Sequence, residues 1–335
     1  MTTKRSLRWS HLTPDSVEQW AELTNLLAMA DRTEEYYEAE DLAEELEESG
    51  FTPETDSWAV WDGELMVGYG QLRVAHNLDD EGRVRCQLGG GVHPDWRGRG
   101  IGRELVRRQE ERGRELAAER HSGTPYYFRA GGELEGSDAR RLLTHMGYAV
   151  VRYFNELARP LPGDPVTVPE PGELEGVELV TPTSEHEGGV REAHNAAFVD
   201  HWGSTPQSEA TWHDYWTGRP PRRQLSTLAI GDDGAVLAYV LVSQWVPRQA
   251  YVDLVGTVRE ARGRGLAAAC LSRSIRLAAE SGQYDVIELG VDSDSPTGAT
   301  RLYERLGFRL DRVMAAMMKE PVVNESVAEE PSAQG

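Results

Sequence analysis

Apolar and polar positions along the chain change period several times, and the same series of changes occurs twice. Helical spacing opens each half, over residues 15–30 and 39–48 and again over 187–198 and 209–216. Two apolar runs then flank an Asp-Gly pair in each half. They are 58–61 and 65–69 about Asp62-Gly63, and 227–230 and 235–242 about Asp233-Gly234. Asp-Gly between apolar runs predicts a hairpin. A third strand (84–92; 251–258) leads into a glycine-arginine turn and a long helix. A further strand (126–129; 286–291) and a short helix (138–146; 298–306) follow, before Gly147-Tyr148 in one half and Gly307-Phe308 in the other, each opening a final strand.

Antiparallel strands followed by a strand–helix–strand crossover predict a mixed, mostly antiparallel sheet flanked by helices. The expected fold class is therefore α/β, with two tandem domains of one plan. Five prolines (Pro160, Pro162, Pro165, Pro169 and Pro171) fall between the halves with glycines and acidic groups, which predicts a linker. The expected division is 1–158, a linker at 159–176, 177–320, and a polar tail at 321–335 whose composition predicts disorder.

The turn before each long helix carries the candidate chemistry. It reads Val92-His93-Pro94-Asp95-Trp96-Arg97-Gly98-Arg99-Gly100-Ile101-Gly102 in the first copy and Thr257-Val258-Arg259-Glu260-Ala261-Arg262-Gly263-Arg264-Gly265-Leu266-Ala267 in the second. Leu266, Cys270, Leu271, Ile275 and Ala278 recur at helical spacing after it. The first backbone N–H groups of a helix lack intrahelical partners, glycines let an anion approach them, and the helix dipole favours negative charge. Arginines add charge for phosphates. The physical inference is a diphosphate-binding loop, although such a turn alone also fits a simple helix cap or a dinucleotide fingerprint. The fingerprint fits less well, because the preceding strands belong to hairpins.

Arg-x-x-Gly-x-Gly/Ala at this junction resembles the coenzyme A motif of the GNAT acetyltransferase superfamily. The run Ala299-Thr300-Arg301-Leu302-Tyr303-Glu304-Arg305-Leu306-Gly307-Phe308 resembles that family's second landmark, a helix ending in Leu-Tyr-Glu-x-x-Gly-Phe. The resemblance covers nearly the whole chain, once per half. The tandem layout is similar to that of mycothiol synthase and related actinobacterial double-domain acetyltransferases. It implies an N-acetyltransferase using acetyl-CoA as co-substrate, without a metal, on a small-molecule amine. The implied coenzyme contacts are Val255, Gly256, Thr257, Arg262, Gly263, Arg264, Gly265, Leu266, Ala267 and Ser295, the last standing where the family usually has asparagine. The first-copy counterparts are Gly90, Val92, Arg97, Gly98, Arg99, Gly100, Ile101 and Gly102. They either bind acyl-CoA or another anion, or only shape the fold.

The resemblance further implies that Tyr303 supplies a proton to the departing thiolate. The matching position in the first copy is Leu143, which cannot. Asp253 is the best-placed carboxylate for taking the amine's proton, and its counterpart is Leu88; Tyr251, on the same strand face, could act instead through water. The chemistry is therefore expected in the second copy. Asp200-His201-Trp202 falls between the helices that line the acceptor site in the family, and packed side chains are the simpler reading there.

Composition narrows the partners. Lys+Arg 35 against Asp+Glu 56 gives a net charge of −21, which argues against nucleic-acid binding. The charge favours solubility first, and secondly a cationic amine. No apolar run reaches the roughly 20 residues of a membrane span. Met1-Thr2-Thr3-Lys4-Arg5-Ser6-Leu7 leads into no hydrophobic stretch, so no secretory signal is expected. Two isolated cysteines, Cys86 and Cys270, fit a reduced, cytoplasmic protein, monomeric or homodimeric. The rival readings are a non-catalytic acyl-CoA sensor and a reaction like that of mycothiol synthase on a cysteinyl amine.

Overall fold

The elements follow the sequence pattern in type and order, and their pairing joins the halves. The computed structural model describes residues 6–33, 36–161, 174–199, 204–294 and 299–321. The first half comprises β1 (Arg8–Ser10), α1 (Val17–Asp31), α2 (Ala39–Leu46), α3 (Pro53–Asp56), β2 (Ser57–Asp62), β3 (Leu65–Val74), β4 (Val84–Val92), α4 (Ile101–Arg120), β5 (Tyr126–Glu133), α5 (Asp138–His145) and β6 (Ala149–Pro160). The second comprises β7 (Val177–Val180), α6 (Glu187–Ala197), α7 (Glu209–Thr217), β8 (Thr227–Gly231), β9 (Val236–Ser243), β10 (Gln249–Thr257), α8 (Leu266–Ser281), β11 (Val286–Asp292), α9 (Ala299–Arg305) and β12 (Arg309–Lys319).

Each half contains the expected mixed sheet with helices, but the two sheets are one. The strand order is β1-β2-β3-β4-β5-β12-β6-β11-β10-β9-β8-β7. Only β4–β5 and β10–β11 are parallel among the described pairs. The last strands are exchanged: β12 pairs with β5 of the first half, and β6 pairs with β11 of the second. They also pair with each other, from Arg309↔Ala158 to Met318↔Ala149. Each final strand thus covers the edge of the other half's parallel strand, so neither half leaves an open edge at the centre. Side chains secure the exchange. Lys319 at the end of β12 lies 2.8 Å from the buried Glu110 carboxylate on α4. Arg159 at the end of β6 donates from Nε to the Leu306 carbonyl at 2.7 Å.

β6 runs two residues into the expected linker; residues 162–173 of that segment and the tail from 322 lie outside the described residues. The short strands β1 and β7 carry no readable alternation and were not expected.

The predicted stripe on α8 is core. Leu266, Cys270, Leu271, Ile275 and Ala278 are all buried in one cluster with Tyr303 and Phe308. The opposite face of the second half's sheet is covered by α6 and α7, whose Val190, Trp212 and Trp216 cluster with Tyr239 of β9. Among the described residues, no helix is long and apolar enough to cross a membrane.

Candidate functional site

The glycine-arginine turns are built alike in both halves. A single helical turn (Pro94–Trp96; Arg259–Ala261) precedes two left-handed glycines, Gly98 and Gly100 with φ of 73° and 88°, Gly263 and Gly265 with φ of 78° each. Gly100 and Gly265 cap α4 and α8. A side chain there would meet nothing within 4 Å, so glycine is required by backbone conformation and not by space; a left-handed L-residue costs roughly 1–2 kcal/mol. The space above each loop is open to a ligand, and the first N–H groups of the helices face no intrahelical acceptor.

The arginines act mainly as struts. Arg97 donates to the Val92 carbonyl at 3.0 Å, and Arg262 to the Thr257 carbonyl at 3.4 Å, each five residues back. Their outer nitrogens reach the end of the half's first helix, in different ways. Arg262 finds the Ala197 carbonyl at 3.1 Å, whereas Arg97 is held by Asp31 and, at 3.1 Å, by Asp138. These two carboxylates hold its pKa above the usual arginine value against the cost of burial. Arg99 bonds the Asp95 carbonyl and Arg264 the Glu175 carbonyl.

Beside each loop the parallel strands part. β10 follows β11 only from Gln249↔Val286 to Val252↔Leu289, and β4 follows β5 only to Leu88↔Ala130. Beyond these points β10 stays on β9 and β11 stays on β6, leaving a wedge between them. In the first copy this wedge belongs to a cavity of about 770 Å³ lined by Gly90, Val92, Arg97, Gly98, Gly100, Ile101, Gly102 and Leu143.

At the wedge of the second copy a bulge falls between Val252 and Leu254, so Asp253 has no register partner on β9. The matching pairing of β3 with β4 is regular. The half-buried Asp253 carboxylate accepts hydrogen bonds from Ser243 Oγ, from Tyr215 Oη at 3.2 Å and from Trp245 Nε1 at 3.3 Å. Burial pushes its pKa up to about 6, and the three donors hold it from rising further. Tyr251, on the same face, donates to Glu156 at 3.1 Å. Burial, and then the charge of Glu156, raise its pKa.

Tyr303 lies on the other face, in the core under α8 and edge-on to Phe308 at 6.1 Å between ring centres. Burial raises its phenol to about 12. Leu143 holds the same place in the first half: its carbonyl accepts from Tyr148 N–H, as that of Tyr303 accepts from Phe308 N–H. Asp253 and Tyr303 therefore lie on opposite sides of the sheet. Asp200, His201, Trp202 and Ser295 lie outside the described residues.

Sequence reasoning missed Tyr215, Ser243, Trp245 and Glu156. The first three come from α7 and the β9 end, and Glu156 from the strand that the other half exchanges. It also missed a repeated staple. Asn25 and Asn195 each hydrogen-bond, in both directions, the backbone of the residue twelve places on, Tyr37 and Gln207. An asparagine at the same place in the first helix of each half was the available signal.

Comparison with known proteins agrees with this repeat. The sequence profile described as the acetyltransferase (GNAT) family matches residues 17–126 and again residues 189–308. The chain is 28% identical over 230 residues to a mycothiol acetyltransferase of Tsukamurella paurometabola, covering 65% of this chain and 72% of that one. It is 28% identical over 265 residues to another of Rhodococcus opacus, covering 74% and 77%. Among solved structures, a GCN5-related N-acetyltransferase from Sphaerobacter thermophilus superposes with a TM-score of 0.71 at 25% identity, over 96% of this chain and 97% of that one. A tandem GNAT protein from the clavulanic acid biosynthesis pathway shares the fold, with a TM-score of 0.67 at 22% identity over 94% and 98%.

Proposed function

We propose, because the chain belongs to the acetyltransferase (GNAT) family and is a tandem N-acetyltransferase of it, that its second half moves an acetyl group from acetyl-CoA directly to a primary amine of a small molecule. The observation that carries this reading is the asymmetry between two otherwise matching copies. Only the second has a carboxylate at the strand bulge, Asp253, and a phenol on the closing helix, Tyr303, where the first has Leu88 and Leu143.

The loop fits a diphosphate: two left-handed glycines with open space above them lead into the N-terminus of α8. Gly263, Gly265, Leu266 and Ala267 would hold it, with Arg262 and Arg264 adding charge. Bound there, the coenzyme supplies an activated thioester. The backbone of Val255, Gly256 and Thr257 borders the wedge and offers N–H groups to a carbonyl oxygen. Asp253, charged above a pH of about 6, takes a proton from the incoming ammonium, directly or through water. As the nitrogen–carbon bond forms and the carbon–sulfur bond breaks, the nitrogen loses its second proton to water, and Tyr303 gives its proton to sulfur and regains one afterwards. Its raised pKa keeps that proton in place across neutral pH. Holding both reactants together accounts for much of the rate.

In this reading residues 1–158 form a non-catalytic copy, 159–176 the connection and 177–320 the catalytic copy. The relatives named mycothiol acetyltransferases support an amine acceptor for this chain. The test is release of free coenzyme A from acetyl-CoA over a panel of primary amines, repeated with Tyr303→Phe. Acetylation by the wild type and its loss in the variant supports the assignment; equal turnover removes Tyr303 from the chemistry.

A further inference from the structure

The donors to Asp253 differ in what holds them. Ser243 belongs to β9, within the sheet. Tyr215 comes from α7, and Trp245 from the loop between β9 and β10. Both of these elements meet the first half.

The C-terminal end of α7 is tied to α2. Asp214, next to Tyr215, accepts a hydrogen bond at 2.9 Å from the backbone N–H of Ser49, just past α2. Arg219, four residues after Tyr215, donates its backbone N–H to Glu44 at 3.0 Å. Its guanidinium lies 2.6 Å from Glu38, 3.4 Å from Glu40 and 3.6 Å from Asp41. A single exposed ion pair is weak, but this arginine meets three carboxylates of one helix end, and the two backbone N–H bonds fix the register of the contact. Tyr215 thus sits between two residues tied to the other half.

Trp245 is held by a ring. Tyr37 of the first half meets it nearly edge-on, 5.9 Å between ring centres, a favourable arrangement for aromatic side chains. Asn25 fixes Tyr37 in turn, bonding its backbone N–H and carbonyl at 2.9 Å each.

We propose that the first half positions the base: α2, through Asp214 and Arg219, and Tyr37, through Trp245, hold two hydrogen-bond donors on the Asp253 carboxylate. This rests on the acetyl-transfer reading above, in which Asp253 takes the amine's proton. It gives the first half a role that needs no phenol or carboxylate at its own wedge. Asp214, Arg219 and Tyr37 are positioning residues, each acting through Tyr215 or Trp245.

The donors hold the carboxylate's pKa below the value burial would otherwise set, so loosening them should raise it. Around the site stand Tyr251 on the same strand, which feels the charge of Asp253, Tyr239 near Tyr215, Glu156 and Arg312 near Tyr251, and Glu288 at 3.7 Å from Arg312. The substitutions below leave all of these in place.

The test compares the acid limb of kcat/KM in wild type, in the double variant Asp214→Ala/Arg219→Gln and in Tyr37→Leu. Each variant should move the limb up by about half a pH unit to one unit, the equivalent of one hydrogen bond, with acetyl-CoA affinity within about twofold of wild type. Arg219→Lys should keep the limb close to that of wild type. The route is checked in a second background. With Tyr215→Phe already present the double variant should add no shift, and with Trp245→Phe present Tyr37→Leu should add none. A limb unmoved in either variant overturns the proposal. So does a shift of the same size in the phenylalanine backgrounds, which would mean a general loosening of the fold. Where no amine is acetylated, infrared titration of the Asp253 carboxyl, identified by its absence in Asp253→Asn, reads the same shifts without turnover. Failure of the acetyl-transfer reading is separate: no CoA release with any amine, or an acid limb that persists in Asp253→Asn.

Discussion

The Tyr239 phenol lies directly against the backbone of Gly256. A Cβ at Gly256 would stand 2.4 Å from ring atoms Cε1 and Cζ and 2.5 Å from Oη. The ring cannot yield easily, because Tyr239 is fully buried and its hydroxyl is hydrogen-bonded to His194 Nδ1 at 2.8 Å. Gly256→Ala should therefore displace β10 where it borders the wedge. The expected cost is about 1–3 kcal/mol of stability, with turnover falling more than the stability loss explains. Gly189→Ala is the control in the same half. Its Cβ would meet nothing closer than 3.4 Å, on helix α6, and it should stabilise by up to about 1 kcal/mol. Thermal melts and initial rates on both variants check this; a silent Gly256→Ala would mean that the strand edge tolerates displacement.

Tyr303 and Leu143 provide a matched pair of substitutions. Tyr303→Phe keeps the ring against Phe308 and removes only the hydroxyl. Turnover should fall on the order of a hundredfold, the usual worth of a positioned acid, while coenzyme affinity stays within about threefold. Leu143→Met, which conserves volume in the first copy's core, should leave turnover within about twofold. Steady-state rates with calorimetric coenzyme affinities separate the two effects. A large loss of turnover from Leu143→Met would move chemistry into the first half.

Asp253 predicts the acid limb of the pH profile. Its pKa is raised to about 6, so the carboxylate is charged at pH 7 and becomes protonated as pH falls through about 6. The value of kcat/KM should fall with it, tenfold per pH unit below the limb. In Asp253→Asn the limb should disappear and the remaining rate should be low. A limb unchanged in that variant would assign the base elsewhere, with Tyr251 and its partner Glu156 next in line. No alkaline limb from Tyr303 should appear below about pH 11, because its phenol is raised to about 12.

The parts of the fold legible in the sequence are those set by local chemistry. The α8 stripe was readable because burial repeats at helical spacing. Leu143 could be matched with Tyr303 because Gly147 and Gly307, at φ of 88° and 91°, end both short helices four residues later. The left-handed glycine turns were readable for the same local reason, although the arginines just before them, Arg97 and Arg262, brace the strand against the first helix. The surroundings of Asp253 were not readable. A bulge depends on the pairing of two strands, and its donors Tyr215, Ser243 and Trp245 converge from separate elements. Glu156 was still less accessible: two halves with equivalent last strands carry no local mark of which neighbour each will pair with.

That exchange predicts how the protein unfolds. β12 lies between β5 and β6, with its end tied to Glu110 of the first half, and β6 lies between β12 and β11. Neither half can lose its last strand without exposing the central edge of the other. Heating should give one calorimetric transition in which calorimetric and van't Hoff enthalpies agree. Lys319→Met removes a cation from a pair whose carboxylate is buried, leaving Glu110 with Arg114 at 3.3 Å. It should lower the midpoint of that single transition instead of splitting it. Residues 1–158 expressed alone should be poorly folded by near-ultraviolet dichroism, since the strand that completes their sheet is in the other half. Two resolved transitions in the intact chain, or a fully cooperative isolated half, would show that the shared sheet is a contact between independent domains.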